Sequence, residues 1–291
     1  MGASNWDGAA FEAHRPLLFS IAYRMLGSAS EAEDVVQDAW LRARQDEQSI
    51  VRSARAYLTT IVTRLSIDHL RSAERKRLEY PGPWLPEPLA EPNQESAELA
   101  SSLTTAFLVL LEQLTPTERA VFLLREVFEL DFDEIARSVG KSEPNTRQIL
   151  RRARGRLRDA RPRFTASRTE SENIVRHFRH ACVTGNVQEL MTVLHADATL
   201  VSDGGGKAIA ATRPVLGADR IAKFMFGYAG KLHWSESDFQ LVTVNGTPGL
   251  LLRHPIAGDG TYSFDIVGGR IRAIYVMRNP DKLRRFLEQT Q

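Results

Sequence analysis

Cysteine is almost missing from this chain. Cys182 stands alone among 291 residues, which excludes an internal disulfide and a multi-cysteine zinc site. A small buried residue on a helix is its expected role. No apolar run reaches the length that a bilayer-spanning helix needs. The opening stretch, MGASNWDGAAFEAHR, lacks the basic start and apolar core of a signal peptide, so a cytoplasmic, membrane-free protein is expected. No internal repeat is visible either. What is present is ordinary for a globular protein, 43% hydrophobic and 25% charged, and 291 residues suit two or three domains better than one.

The net charge of +2 conceals a strong asymmetry. Residues 1–79 balance eleven basic against eleven acidic side chains, whereas residues 80–140 hold three basic and eleven acidic. Residues 141–163 then carry nine basic and two acidic, an electrostatic footprint for phosphate. Thirty-two of the 38 basic residues are arginine, which suits bidentate recognition of phosphate and guanine; a GC-rich genome would favour the same codons.

Hydrophobic periodicity divides the chain into four segments. Residues 1–79 read as helical. Residues 80–100 open with YPGPWLPEPLAEPNQES, whose five prolines predict an extended linker. Residues 101–163 are helical again. Residues 168–291 start with one or two helices and continue as short apolar runs, with hairpin signals at Asn245-Gly246 and Gly268-Gly269, which predicts an α+β domain with a mostly antiparallel sheet.

The most informative stretch is DFDEIARSVGKSEPNTRQILRRARGRLRDARPRF, which begins at Asp131. It reads as two short helices around a turn at Ser138-Val139-Gly140-Lys141, a helix-turn-helix whose second helix enters the DNA major groove. Thr115, Pro116 and Glu118 predict a capping box in front of it. Thr146, Leu150, Ala153 and Leu157 form the expected buried stripe. Asn145, Arg147, Gln148, Arg151 and Arg152 then face outward where base edges are reached, and Arg154, Arg156 and Arg158 lie where phosphates are held. A solvated basic helix, or one binding an acidic protein, is the plainer alternative.

In the N-terminal segment Ser28 or Ser30 caps a helix with Glu31, Glu33 and Asp34 in its first turn. The next helix, ARAYLTTIVTRLSIDHLRSAERKRLE, ends in Arg71, Arg75, Lys76 and Arg77. These cations either answer the helix dipole or form a DNA-facing patch. Together SEAEDVVQDAWLRA, AYLTTIVTRLSIDHLRS and LTPTERAVFLLREVFELDFDEIARSVGKSEPNTRQILRRARGRL resemble a bacterial extracytoplasmic-function sigma factor over nearly all of residues 8–163. The resemblance implies regions two and four of that family. Asp34, Gln37 and Trp40 would contact the β′ clamp helices of core RNA polymerase, with the β subunit as a further partner. Arg55, Tyr57, Arg64, Asp68 and Arg71 would recognise and melt the minus-ten element, with Arg75 beside them. Melting costs a few kcal/mol per step, which stacking and cationic contacts offset. Helix 143–158 would read the minus-thirty-five element, with Ile149 meeting a thymine methyl or packing.

Residues 168–291 look like a SnoaL-like domain, a cone of curved sheet covered by helices. The strings WLPEP (84–88), DGGGK (203–207) and NPDKL (279–283) resemble a sigma factor subfamily whose fused C-terminal domain modulates activity in cis. On this reading Trp84, Leu85, Pro86, Asp203, Gly204, Gly205, Gly206, Lys207, Asn279, Pro280 and Asp281 form a regulatory contact, and no separate anti-sigma factor is required. The chain is expected to be a monomer and not an enzyme, and to use no metal or cofactor. The glycine run lacks the spacing and Ser/Thr of a phosphate-binding loop. The alternative is a domain that binds or turns over a small molecule. Its candidates would be Asp203, His233, Tyr262 and Asp265, with Phe224, Phe226, Trp234, Phe239 and Phe264 lining a cavity or filling the core.

Overall fold

The computed structural model describes residues 8–45, 53–90, 103–157, 167–229 and 234–290. The chain forms two compact units, Met1–Leu78 with Leu110–Ala160, and Glu79–Val109 with Arg161–Gln291.

The first unit is helical. Helices α1 (Gly8–Glu12), α2 (Arg15–Leu26), α3 (Ala29–Gln45) and α4 (Ala54–Leu78) come first. Gly27 ends α2 with φ 69°, a left-handed conformation that costs glycine little, and donates its N–H to Tyr23. Ser28 Oγ then accepts the Glu31 N–H at 3.2 Å and starts α3. After α5 (Thr105–Leu111), whose chain crosses from one unit to the other, come α6 (Pro116–Glu126), α7 (Phe132–Val139) and α8 (Glu143–Leu157). Thr115 and Glu118 make the expected capping box in front of α6, an arrangement of about 1 kcal/mol. Gly140, at φ 65°, turns the chain between α7 and α8. Thr146, Leu150, Ala153 and Leu157 are the buried residues of α8, at helical spacing.

The second unit is built on a mixed six-stranded sheet. Its elements are α9 (Arg168–Thr184), α10 (Val187–Val193), β1 (Leu194–Asp203), β2 (Val215–Leu216), α11 (Ala218–Ala229), β3 (Phe239–Val244), β4 (Thr247–Leu252), β5 (Gly260–Val267), β6 (Arg270–Met277) and α12 (Pro280–Gln289). Strand order is β2-β1-β6-β5-β4-β3, with β1 and β6 parallel and all other neighbours antiparallel. Asn245-Gly246 and Gly268-Gly269 are the two tight turns, all four residues at positive φ as such hairpins require.

Alternation along the strands gives the sheet two different faces. Leu200, Tyr262, Phe264, Ile274 and Val276 join Phe178, Leu190 and Ile221 from the helices in the main core. Phe178 meets Phe264 edge-on at 5.0 Å between ring centres. Cys182 lies buried on α9, and burial pushes its thiol up, away from reactivity. The opposite face receives the linker and α12: Leu85 packs with Met277 and Leu283, and Ala90 with Val244, Leu251 and Phe286. Each large apolar side chain so buried contributes ~1.5–3 kcal/mol.

Candidate promoter interface and linker latch

Helix α8 presents the arginine face that its sequence predicts. Asn145, Gln148, Arg151 and Arg152 are exposed and have no partner among the described residues. Arg147 is oriented by two contacts. It pairs with Glu143 at 2.5 Å and lies over the Phe132 ring at 4.0 Å. Arg125 approaches the same ring at 5.0 Å. Arg154 pairs with Glu126 at 2.6 Å, and Arg156 with Glu118 at 3.0 Å. A recess of about 370 Å³ is lined by Arg125, Phe132, Arg147, Leu150, Arg151 and Arg154. A recess walled by four guanidinium groups favours phosphate oxygens. Arg125 was absent from the sequence-derived set because it lies on α6, outside the two-helix motif.

On α3, Asp34, Gln37 and Asp38 are exposed together, while Val35, Val36 and Ala39 are buried. Trp40 is half-buried against Phe11 at 4.9 Å, with Arg44 over its ring. On α4, Arg55 is exposed and Tyr57 half-buried. Asp68 and Arg71 pair with each other at 3.4 Å. Arg64 behaves differently: it donates to the backbone oxygens of Ser138 at 3.1 Å and Arg137 at 2.7 Å, and Thr60 bonds Ser138 at 3.0 Å. A cation there meets the negative end of α7. The side chain of Arg75, like residues 158–163, lies outside the described residues.

A second group of arginines holds α2 to α4 and α6. Arg119 donates to Met25 O at 2.7 Å and pairs with Glu112 at 2.9 Å. Arg77 bonds the same carboxylate and Leu26 O. Burial lowers the Arg119 pKa from its ordinary value, and Glu112 opposes that shift.

In the second unit Asp203 is fully buried and accepts four hydrogen bonds. Its Oδ1 takes the Tyr80 hydroxyl at 2.6 Å and the Gly205 N–H at 3.0 Å. Its Oδ2 takes the Leu85 N–H at 2.9 Å and Lys282 Nζ at 2.7 Å. Lys282 also donates to Leu85 O at 2.7 Å and lies 4.1 Å above the Trp84 ring. Asn279 caps α12 through its Oδ1 and donates from Nδ2 to the Tyr80 hydroxyl. Gly205 is required here: at φ 58°, a Cβ would sit 2.3 Å from the Asn279 amide. Pro86 is buried beside Leu85, while Lys207 and Asp281 form an exposed pair at 2.5 Å.

A second contact holds the other end of the linker. Asn245, at φ 49°, donates its N–H to Leu89 O at 2.9 Å and accepts the Leu89 N–H on Oδ1 at 2.8 Å. Its Nδ2 donates to Thr105 Oγ1 at 3.1 Å. Tyr80, Thr105, Asn245 and Lys282 are the latch residues that sequence reasoning passed over. Lys282 was visible within NPDKL, but Asn245 gave no signal beyond its hairpin turn.

The described candidates of the enzymatic alternative do not converge on one point. Asp203 and Asp265 share the parity opposite to Tyr262 on the sheet, and Asp265 pairs with Arg272 at 2.7 Å. His233 lies outside the described residues. Phe239 and Phe264 belong to the core, with Phe226 packed against it.

The latch makes the second unit's stability sensitive to alkali. Burial, then the bond to Asp203, raises Tyr80 well above the ordinary tyrosine value of 10.0. The unfolded chain loses this proton first, so the stabilisation is complete below pH 10 and falls as pH rises beyond it. The unfolding midpoint should therefore drop between pH 9 and 11, and drop less in Tyr80→Phe. Identical slopes for the two proteins would remove Tyr80 from this account.

Two helical regions, the second carrying a helix-turn-helix with an arginine face, define a protein that reads duplex DNA. Sigma-70 region 2 matches residues 10–76, and Sigma-70, region 4 matches residues 104–157. The ECF RNA polymerase sigma factor SigJ of Mycobacterium tuberculosis is 34% identical, covering 94% of this chain and 91% of its own. A probable ECF RNA polymerase sigma factor, SigI of the same species, is 30% identical, covering 94% of each. The crystal structure of SigJ superposes with a TM-score of 0.79 at 31% identity, over 96% of this chain and 98% of that one. The chain belongs to the extracytoplasmic-function (ECF) sigma factors of RNA polymerase. It binds core polymerase and promoter DNA and directs transcription initiation. No helix among the described residues is long and apolar enough to cross a membrane.

Proposed function

We propose that the C-terminal domain, residues 168–291, modulates this sigma factor in cis by gripping the linker between the two promoter-reading regions, without a separate anti-sigma factor. The observation that carries this is the buried Asp203 carboxylate, which takes hydrogen bonds from Tyr80 and Leu85 of the linker. A linker held at Asp203 through Tyr80 and Leu85, and at Asn245 through Leu89, loses conformational freedom over residues 80–89, and this restrains the regions it joins. The protein works in the cytoplasm as one copy per polymerase and carries out no reaction of its own.

Within the same reading, Asp34, Gln37 and Trp40 contact the clamp helices. Residues Arg55, Tyr57, Arg64, Asp68, Arg71 and Arg75 serve the minus-ten element, and Asn145, Arg147, Gln148, Arg151, Arg152 and Arg154 serve the minus-thirty-five element. Arg64 must then exchange two backbone carbonyls for DNA, so polymerase binding shifts the population toward an opened form.

Run-off transcription with purified core polymerase tests both levels. Arg151→Ala with Arg152→Ala should lower specific transcript about tenfold or more, since each good bidentate base contact contributes ~1–3 kcal/mol. Comparison of the full chain with one ending near Arg163 should show different output. Equal output from both would remove the regulatory role while leaving the sigma function in place.

A further inference from the structure

The two helices of the helix-turn-helix meet at one aromatic ring. Phe132, the first residue of α7, lies against the guanidinium of Arg147 on α8, with Cζ 4.0 Å from the ring centre. Arg125 of α6 approaches the same ring at 5.0 Å and is itself tied to Leu130 O at 2.7 Å. Arg147 is also held from its side: Nε and Nη2 both donate to Glu143 Oε1, at 3.2 and 2.5 Å. Glu143 stands four residues earlier on the same helix, the favourable order for such a pair.

These contacts use different parts of one planar group. The ring covers its face, and the carboxylate takes the edge that carries Nε. The end edge, where one N–H of Nη1 and one of Nη2 run parallel, has no partner among the described residues. The side chain is 58% exposed and stands in the second turn of α8, in the half of a recognition helix that reaches base edges. A guanidinium fixed on its face and one edge offers that parallel fork in one direction. Guanine O6 and N7 are two adjacent acceptors that match it, whereas adenine and cytosine present a donor in the major groove and thymine a single acceptor. A phosphate accepts a guanidinium from many directions, so restraint on two sides serves a base edge and gains little at the DNA backbone.

We propose that Phe132 and Glu143 are positioning residues that hold Arg147 in register with one guanine of the minus-thirty-five element, an inference that rests on the promoter-reading role of α8 given above. Arg147 donates to O6 and N7 of that base, and neither positioning residue needs to touch the DNA. Glu143 has a second, opposite effect. Its negative charge weakens the general attraction of α8 for phosphate, so it trades affinity for any duplex against choice of base.

Holoenzyme formed from the full chain and core polymerase can select duplexes from a library randomised across the minus-thirty-five element, with base preference read at each position. The parent should prefer guanine about tenfold or more at one position, and Arg147→Lys, which keeps the charge and loses the fork, should erase that preference and spare the others. Phe132→Leu and Glu143→Ala should each lower it about threefold or more at that same position. Phe132→Tyr should keep it, and Phe132→Leu should add nothing in the Arg147→Lys background. Glu143→Ala should also bind random duplex more tightly than the parent. A loss spread evenly over all positions, or a guanine preference untouched by Phe132→Leu and Glu143→Ala, would overturn the positioning role. A motif that survives Arg147→Lys but collapses in Arg151→Ala with Arg152→Ala would remove the guanine assignment and leave promoter reading by α8 in place. No enriched motif with the parent would remove both.

Discussion

Asp203→Ala should lower the stability of the second unit by about 3–5 kcal/mol, the range for removing one partner of a buried ion pair. Lys282, its side chain only 10% exposed, would keep its charge without the carboxylate, and Tyr80 and the Leu85 N–H would lose their acceptor. The residual contacts of Lys282 with Leu85 O and the Trp84 ring pull the expectation toward the lower end. For a unit of this size, ~2–4 °C is lost per kcal/mol, so thermal unfolding reads the effect easily. Limited proteolysis should show new cleavage within residues 79–90, and run-off transcription should change. Lys207→Ala is the matched comparison. Its pair with Asp281 is 57% and 63% exposed, and such pairs contribute ~0–1 kcal/mol. A midpoint for Asp203→Ala within 2 °C of the parent would show that the carboxylate does not hold the linker.

Asn245→Ala is the second large effect, about 2–4 kcal/mol, because it strands the Leu89 N–H and the Thr105 hydroxyl and puts alanine in a left-handed backbone that asparagine tolerates better. Asn245→Gly separates the two causes. Glycine accepts φ 49° without strain, so it should be more stable than the alanine variant by about 1 kcal/mol while losing the same side-chain bonds. Equal melting of the two variants would mean that backbone strain contributes nothing. If Asp203 and Asn245 grip one linker, the double variant should lose less than the summed single losses, since a linker freed at one end has less to lose at the other.

The helical part was legible because its signals are local. Thr115-Pro116-Thr117-Glu118 specifies a helix start within four residues, and Thr146, Leu150, Ala153 and Leu157 specify a buried face at one period. Short strings also named part of the latch, through Asp203, Asn279 and Leu85. Tyr80, Thr105 and Asn245 escaped because their partners lie 123 to 156 residues away in the chain for Tyr80–Asp203 and Leu89–Asn245, and no spacing rule reaches that far.

The parallel pairing of β1 with β6 carries a consequence for timing. The first long strand of the C-terminal sheet finds its central neighbour only when the last strand has been made. Lys282 follows that strand, 125 residues after the end of the DNA-reading helix at Leu157. At a synthesis rate of ~5–20 residues per second, the two promoter-reading regions exist for roughly 6–25 s before the latch that grips their linker is complete. Every newborn molecule thus passes through a brief interval with its linker ungripped, because the strand and the lysine that complete the grip are made after both regions.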